Sequence, residues 1–213
     1  MTEGNDWTKK ELENEYIGTM TAVTIPVDIH LRGKQHVLDF FEMKRILSEA
    51  ELISLAECGC RKRVKRCDSP LDVCIGLDRK AEEVTKEGVG EKASVEEALQ
   101  ALRRSHDAGL VHIAYTFSGD EKPRYICSCC SCCCHSMSAL VRFGIPEAVT
   151  ASKYIATHNR DTCIDCGKCI ERCQFKARAF ENGKLMFNAA RCFGCGLCTS
   201  TCPTKSTSLV KRE

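Results

Sequence analysis

Two cysteine runs of identical spacing constrain this chain more than anything else in it. Cys163, Cys166, Cys169 and Cys173 follow C-x2-C-x2-C-x3-C, and Cys192, Cys195, Cys198 and Cys202 repeat that spacing 29 residues later, with Pro203 after the last. Three thiolates at this step can curl round one cube of iron and sulfide. The fourth leaves on a helical turn and points toward a second cube. Each run is therefore expected to serve two clusters.

The segments RDTCIDCGKCIERC and AARCFGCGLCTSTCP also match each other outside cysteine, with Gly167 and Gly196 in equivalent places. Glycine there lets backbone pass close to a cluster and leaves N–H groups free to point at sulfur. Between the runs, Asn182-Gly183 is the strongest short hairpin signal, so two strands should pack over the clusters. The expectation is a pseudo-twofold fold.

On these motifs residues 155 to 208 resemble the bacterial two-cluster ferredoxin family. The resemblance implies that Cys163, Cys166, Cys169 and Cys202 hold one 4Fe-4S cluster and that Cys192, Cys195, Cys198 and Cys173 hold the other. Gln174 stands where the family usually has proline, which loosens one turn but removes no ligand. Zinc also accepts four thiolates, but zinc modules use paired C-x2-C knuckles separated by a loop and not a third cysteine at the same step. Iron is the expected metal.

The 213 residues are enough for one large or two small domains with a real core, so size does not demand the 18 cysteines. The opening MTEGNDWTKKELENEY lacks the basic start and apolar stretch of a secretory signal, and no later apolar run reaches spanning length. A cytoplasmic protein without a membrane span is expected. In that compartment clustered cysteines are more often metal ligands or redox groups than disulfides. The 31 basic and 29 acidic residues nearly balance, which favours neither nucleic acid nor an anionic membrane as partner.

The rest of the chain reads as α+β. Alternation over residues 23 to 31 (Val23, Ile25, Val27, Ile29, Leu31) predicts a half-buried strand, which Pro26 places at an edge. Residues 39 to 57 read as helix, restarted by the Ser48/Glu51 capping-box spacing, so that Cys58 leaves a helix end. Ser94 and Glu97 open a second helix that Gly109 stops. Leu110 to Phe117 and Arg124 to Cys127 read as a hairpin, followed by a short helix from Met137 to Phe143 and a connector over 145 to 158. The domain plan is a cysteine-rich α+β domain over 1–150 joined to the two-cluster ferredoxin fold over 151–213.

Ten cysteines lie upstream. Cys58, Cys60, Cys67 and Cys74 are spaced C-x-C-x6-C-x6-C and flanked by Arg61, Lys62, Arg63, Lys65 and Arg66, while Cys127, Cys129, Cys130, Cys132, Cys133 and Cys134 form CSCCSCCC. Fixed positive charge lowers thiol pKa and stabilises an anionic cluster, which favours ligation over simple burial. Six cysteines within eight positions cannot all face one cube, because neighbours in extended backbone point to opposite sides. The ten can supply two further quartets with two left over, one cluster plus a reactive dithiol, or a larger assembly. One or two further iron–sulfur clusters are expected among them.

The order CGCRKRVKRC, a capped helix ending in AGLVH, then YICSCCSCCCH looks like a region found in iron–sulfur proteins of anaerobic microbes. His135 is a possible ligand or proton carrier, and His112, on a candidate strand, is expected to be structural. No G-x-G-x-x-G, Walker A, C-x3-C-x2-C or C-x2-C-H motif occurs. The expected role is electron transfer, alone or as a relay subunit of a larger oxidoreductase with redox proteins as partners. The alternative is a reductase or activating enzyme whose upstream cysteines do chemistry. A metal-storage module ranks last, since the patterned apolar residues imply an ordered fold.

Overall fold

The computed structural model describes residues 6–15, 18–26 and 41–213. Helices and antiparallel sheets together make the chain α+β, as its patterning implies. The helices are α1 (Lys9–Glu15), α2 (Phe41–Glu49), α3 (Gly59–Val64), α4 (Arg79–Lys86), α5 (Val95–Asp107), α6 (His135–Val141), α7 (Lys168–Arg172) and α8 (Leu197–Ser200). The strands are β1 (Met20–Thr24), β2 (Ile53–Glu57), β3 (Asp72–Leu77), β4 (Gly90–Lys92), β5 (Val111–Phe117), β6 (Tyr125–Cys129), β7 (Tyr154–Ala156), β8 (Arg178–Glu181), β9 (Lys184–Phe187) and β10 (Leu209–Lys211).

A six-stranded sheet ordered β1-β5-β6-β3-β2-β4 organises the upstream part. Strand side chains alternate between faces, and this sheet uses both. On one face Ile75, Ile126 and Ala114 pack with Met43 and Leu47 of α2 and with Ala98, Leu99 and Leu102 of α5. On the other, Val111, Ile113, Tyr115 and Cys129 pack with Leu12 of α1 and Met137 of α6. That second core also takes in Phe175 and Leu197, so it runs on beyond residue 150.

Several expectations hold. Ser94 Oγ accepts from the Glu97 N–H and Glu97 reaches back to Ser94 N, completing the capping box of α5, and Gly109 follows at φ +78°. Strands β5 and β6 form the hairpin, and β1, ahead of Pro26, is an edge strand. Asn182 (φ 49°) and Gly183 (φ 74°) make the tight turn between β8 and β9.

Others need correction. Helix α2 ends at Glu49 and does not restart; Ile53–Glu57 is instead a strand paired with both β3 and β4. Asp78 Oδ1 accepts the Glu51 N–H at 2.7 Å and the Leu52 N–H at 3.4 Å, which turns the chain out of the helix. A strand with partners on both sides satisfies its backbone without the cap, so tertiary pairing overrides the local signal. Cys58 thus leaves a strand and opens α3. The strand expected over 23 to 31 starts earlier, at Met20, and residues 27–31 lie outside the described residues. The short helix begins at His135, two residues ahead of Met137.

Candidate metal centres

Local geometry divides the ten upstream cysteines into a group of six and a group of four. Cys127 and Cys129 lie two apart on β6 and face the same side. The antiparallel register Ile75↔Ile126 continues to bring Cys74 beside Cys127. Cys58 directly follows β2 and precedes α3, Cys60 lies in the first turn of α3, and Cys134 is the residue before α6. Mutual electrostatic influence runs through all six in the order Cys127, Cys74, Cys58, Cys60, Cys134, Cys129.

Within this basin the sulfurs share charge. Hydrogen bonds from Cys60 and then Cys74 pull the Cys58 thiol well below its ordinary pKa, and Arg61 adds to the effect against burial. Cys134 is lowered first by Cys129 and then by Cys60. The donors Cys60, Cys74 and Cys129 are raised in turn. Tyr115 Oη sits 3.4 Å from Cys134 Sγ and 3.6 Å from Cys129 Sγ, and His135 Nδ1 is 3.4 Å from Cys60 Sγ. His112 faces the opposite side of the sheet, buried, with Nδ1 3.0 Å from Ser128 Oγ, in keeping with a structural role.

The other four, Cys67, Cys130, Cys132 and Cys133, bring their sulfurs within 4.8 Å of one another. Cys130 and Cys133 are buried among Val73 and Leu110. Trp7 donates Nε1–H to the Cys133 carbonyl at 2.7 Å, and the Arg63 guanidinium lies over its ring at 3.9 Å. Asp6 holds Arg142 at 2.6 Å and Arg66 at 2.5 Å, which fastens the segment before α1 to α6 and to the loop after α3.

Arg61 was not singled out by the sequence beyond its place in a basic run. It is 2% exposed, with Nη1 on the Ser128 carbonyl at 2.8 Å and Nη2 on the Pro70 carbonyl at 2.6 Å. No carboxylate pairs with it among the described residues. A buried cation needs a compensating anion, and the sulfurs of Cys58, Cys130 and Cys129 are the charges that act on it. It therefore stands between the two upstream groups.

In the last sixty residues the two cysteine runs have matching local form. Gly167 (φ 77°, ψ −13°) and Gly196 (φ 83°, ψ −7°) precede α7 and α8, each one residue after a cysteine. Cys192, Cys195 and Cys198 line a single cavity with Cys173 of the other run. Cys169 lies within electrostatic reach of Cys166 and of Cys202. The backbone of Gly194 passes so close to Ser152 and Tyr154 that an added Cβ would lie 2.1 Å from the Tyr154 oxygen.

Several of these sulfurs have N–H donors of the kind that clusters need. Ala177 N–H donates to Cys173 Sγ at 3.3 Å and Ala156 N–H to Cys192 Sγ at 3.5 Å. Buried Arg178 donates Nη2–H to Cys198 Sγ at 3.7 Å. Burial raises the Cys195 thiol and pushes Cys198 up to about 12, so neither ionises readily without a metal. At Cys202 burial also raises the pKa, but hydrogen bonds from Ser206 and Thr204 outweigh it. Thiols, inward N–H groups and a close glycine backbone together suit iron–sulfur clusters.

Residues 156–209 match the family model of the 4Fe-4S dicluster domain. The chain thus carries an iron–sulfur, metal-binding domain at this end. No curated protein matches the chain. No helix among the described residues is long and apolar enough to cross a membrane.

The segment leading into the dicluster domain is fastened to the sheet, and the domain itself docks on the end of α5 and the cysteine loop. Thr24 N–H donates to the Thr150 carbonyl at 3.0 Å and Thr150 N–H to the Ala22 carbonyl at 2.7 Å. Arg172 caps the end of α5 through the His106 and Asp107 carbonyls at 2.6 and 2.7 Å. Gln174 bridges Gly109 and Ser131. Its departure from proline was visible in the sequence, though the contact it makes was not.

Proposed function

We propose that the protein carries single electrons through two 4Fe-4S clusters in a pseudo-twofold dicluster domain over residues 151–213 and at least one further iron–sulfur site in a cysteine-rich domain over 1–150. Cys192, Cys195, Cys198 and Cys173 hold one C-terminal cluster, and Cys163, Cys166, Cys169 and Cys202 the other. The observation that carries this reading is the shared cavity, in which Cys173 crosses from its own run to join the second. Bound clusters supply the one-electron states. The chain supplies burial, N–H groups aimed at sulfur, and Arg178 beside both sets, the features that tune cluster potentials.

The six-thiol basin of Cys58, Cys60, Cys74, Cys127, Cys129 and Cys134 is the upstream iron–sulfur site. The common apolar core, which takes in Cys129 and Cys134 with Phe175 and Leu197, brings it toward the dicluster domain. The partners are redox proteins or neighbouring subunits of an oxidoreductase in the cytoplasm of an anaerobic cell. A second reading, an enzyme or activator fed by the dicluster domain, draws support from the same basin. Six thiols exceed the four that a cubane takes, and Tyr115 and His135 stand ready to position or pass a proton.

Iron and sulfide analysis of full-length protein purified without oxygen tests the proposal. About eight irons belong to the dicluster domain, and the basin adds about four or more, at four per cubane. A colourless protein without sulfide would sink it. Replacing Cys129 by serine then separates the readings: loss of electron transfer with turnover absent throughout supports a relay, and substrate reduction by the wild type supports the enzyme.

A further inference from the structure

We propose that Cys67, Cys130, Cys132 and Cys133 hold a single tetrahedral metal ion of zinc's class, as a closed structural site, and not an iron–sulfur cluster. The sulfur separations carry this. Cys67 lies 3.8 Å from Cys130 and 3.9 Å from Cys133, and Cys132 lies 3.7 Å from Cys133. A zinc ion with four thiolates at about 2.3 Å sets tetrahedral edges of about 3.8 Å. A cubane spreads its thiolates over four separate irons and so holds them farther apart.

The same chain provides the comparison. Among the described residues this is the one set of three or more ligand atoms that all lie within 4.8 Å of each other. The eight cysteines of the dicluster domain are all described and do not converge in this way, nor do the six of the basin. One fold thus holds two kinds of sulfur spacing, one fit for an ion and the other for clusters.

The surroundings are those of a site without an open position. Cys130 and Cys133 are 3% and 0% exposed, Cys67 and Cys132 are half-buried, and the Trp7 indole N–H donates to the Cys133 carbonyl. Four thiolates on a dication leave net negative charge, which Arg61 and Arg142 face. Binding displaces the thiol protons and moves no electrons, since zinc has no redox chemistry. The ion would staple Cys67, on the loop after α3, to the turn between β6 and α6. It closes that loop locally without joining the electron path. It is independent of the cluster assignments in the dicluster domain.

The test is zinc and iron analysis on one anaerobic preparation of the full chain, wild type and Cys132→Ser. We expect about one zinc per wild-type chain, lost in the variant with iron and sulfide unchanged. Wild type without zinc, or a variant that loses iron, overturns the assignment. Should the variant misfold, X-ray absorption at the zinc edge of the wild type decides. Four sulfur neighbours at about 2.3 Å support the site, and nitrogen, oxygen or iron neighbours reject it.

Discussion

The side-chain oxygen of Gln174 accepts both the backbone N–H of Ser131, at 3.0 Å, and its hydroxyl, at 2.8 Å. Its amide nitrogen donates to the Gly109 carbonyl at 3.0 Å. Ser131 sits between Cys130 and Cys132, and Gln174 directly follows Cys173. The residue that departs from the ferredoxin pattern is thus the one that ties the C-terminal run to the upstream cysteine loop. Gln174→Ala leaves the Ser131 N–H and Gly109 carbonyl without these partners, at a cost of about 1–3 kcal/mol. Thermal unfolding should show the loss with the iron count intact, and electron exchange between the two parts should slow in rapid-mixing spectra.

Arg61 holds two carbonyls with one planar group and faces sulfur on both sides. Arg61→Lys should lose upstream metal while the dicluster irons stay, because a single ammonium cannot span both carbonyls in the guanidinium's fork geometry. Metal analysis reads this directly. Full retention of upstream metal would mean that the buried cation does not balance thiolate charge.

Arg178 lies near Cys169 of one proposed cluster set and donates to Cys198 of the other. Arg178→Gln removes a buried positive charge beside both. The reduced, more negative clusters should then be disfavoured, and midpoint potentials should fall. Redox titration followed by electron paramagnetic resonance measures the shift, and unchanged potentials would remove Arg178 from the tuning groups.

Burial, with His106 adding, holds the His112 imidazole down to about pKa 3. The unfolded chain binds this proton near pH 6.5 and the folded chain does not. Stability from the neutral ring is complete above pH 6.5 and drains as the pH falls toward 3, by up to about 1.4 kcal/mol per unit. His112→Asn keeps a polar partner for Ser128 but cannot titrate, so urea midpoints between pH 7 and 5 should fall less steeply than in the wild type.

Gly194 has φ +67°, and a Cβ there would meet the Tyr154 carbonyl oxygen at 2.1 Å and Ser152 Oγ at 2.3 Å. Gly119, at φ +87°, has open space. Gly119→Ala should cost only the left-handed strain of about 1–2 kcal/mol. Gly194→Ala must also move backbone beside Cys195, so it should cost more and lower iron retention, as melting curves and iron content would show.

Features written within a few residues were legible. The capping box at Ser94 and Glu97 and the Asn182-Gly183 turn each act over one turn of chain, so spacing alone fixes their outcome, and the two runs at C-x2-C-x2-C-x3-C mark the stretch that matches the 4Fe-4S dicluster domain. The strand at Ile53–Glu57 was missed because its local signal is helical and its stabilisation comes from β3, β4 and Asp78, which no short window contains.

The cysteine-rich run shows the division most clearly. Its composition carries the expectation of metal binding through sulfur there, and the reading that no single cube can use every thiol. Only the tertiary structure decided which sulfur joins which group. The pleat of β6 turns Cys127 and Cys129 toward Cys74, while the turn beyond sends Cys130, Cys132 and Cys133 to Cys67, more than sixty residues earlier. Strand register and loop closure set those meetings, and both depend on partners far along the chain.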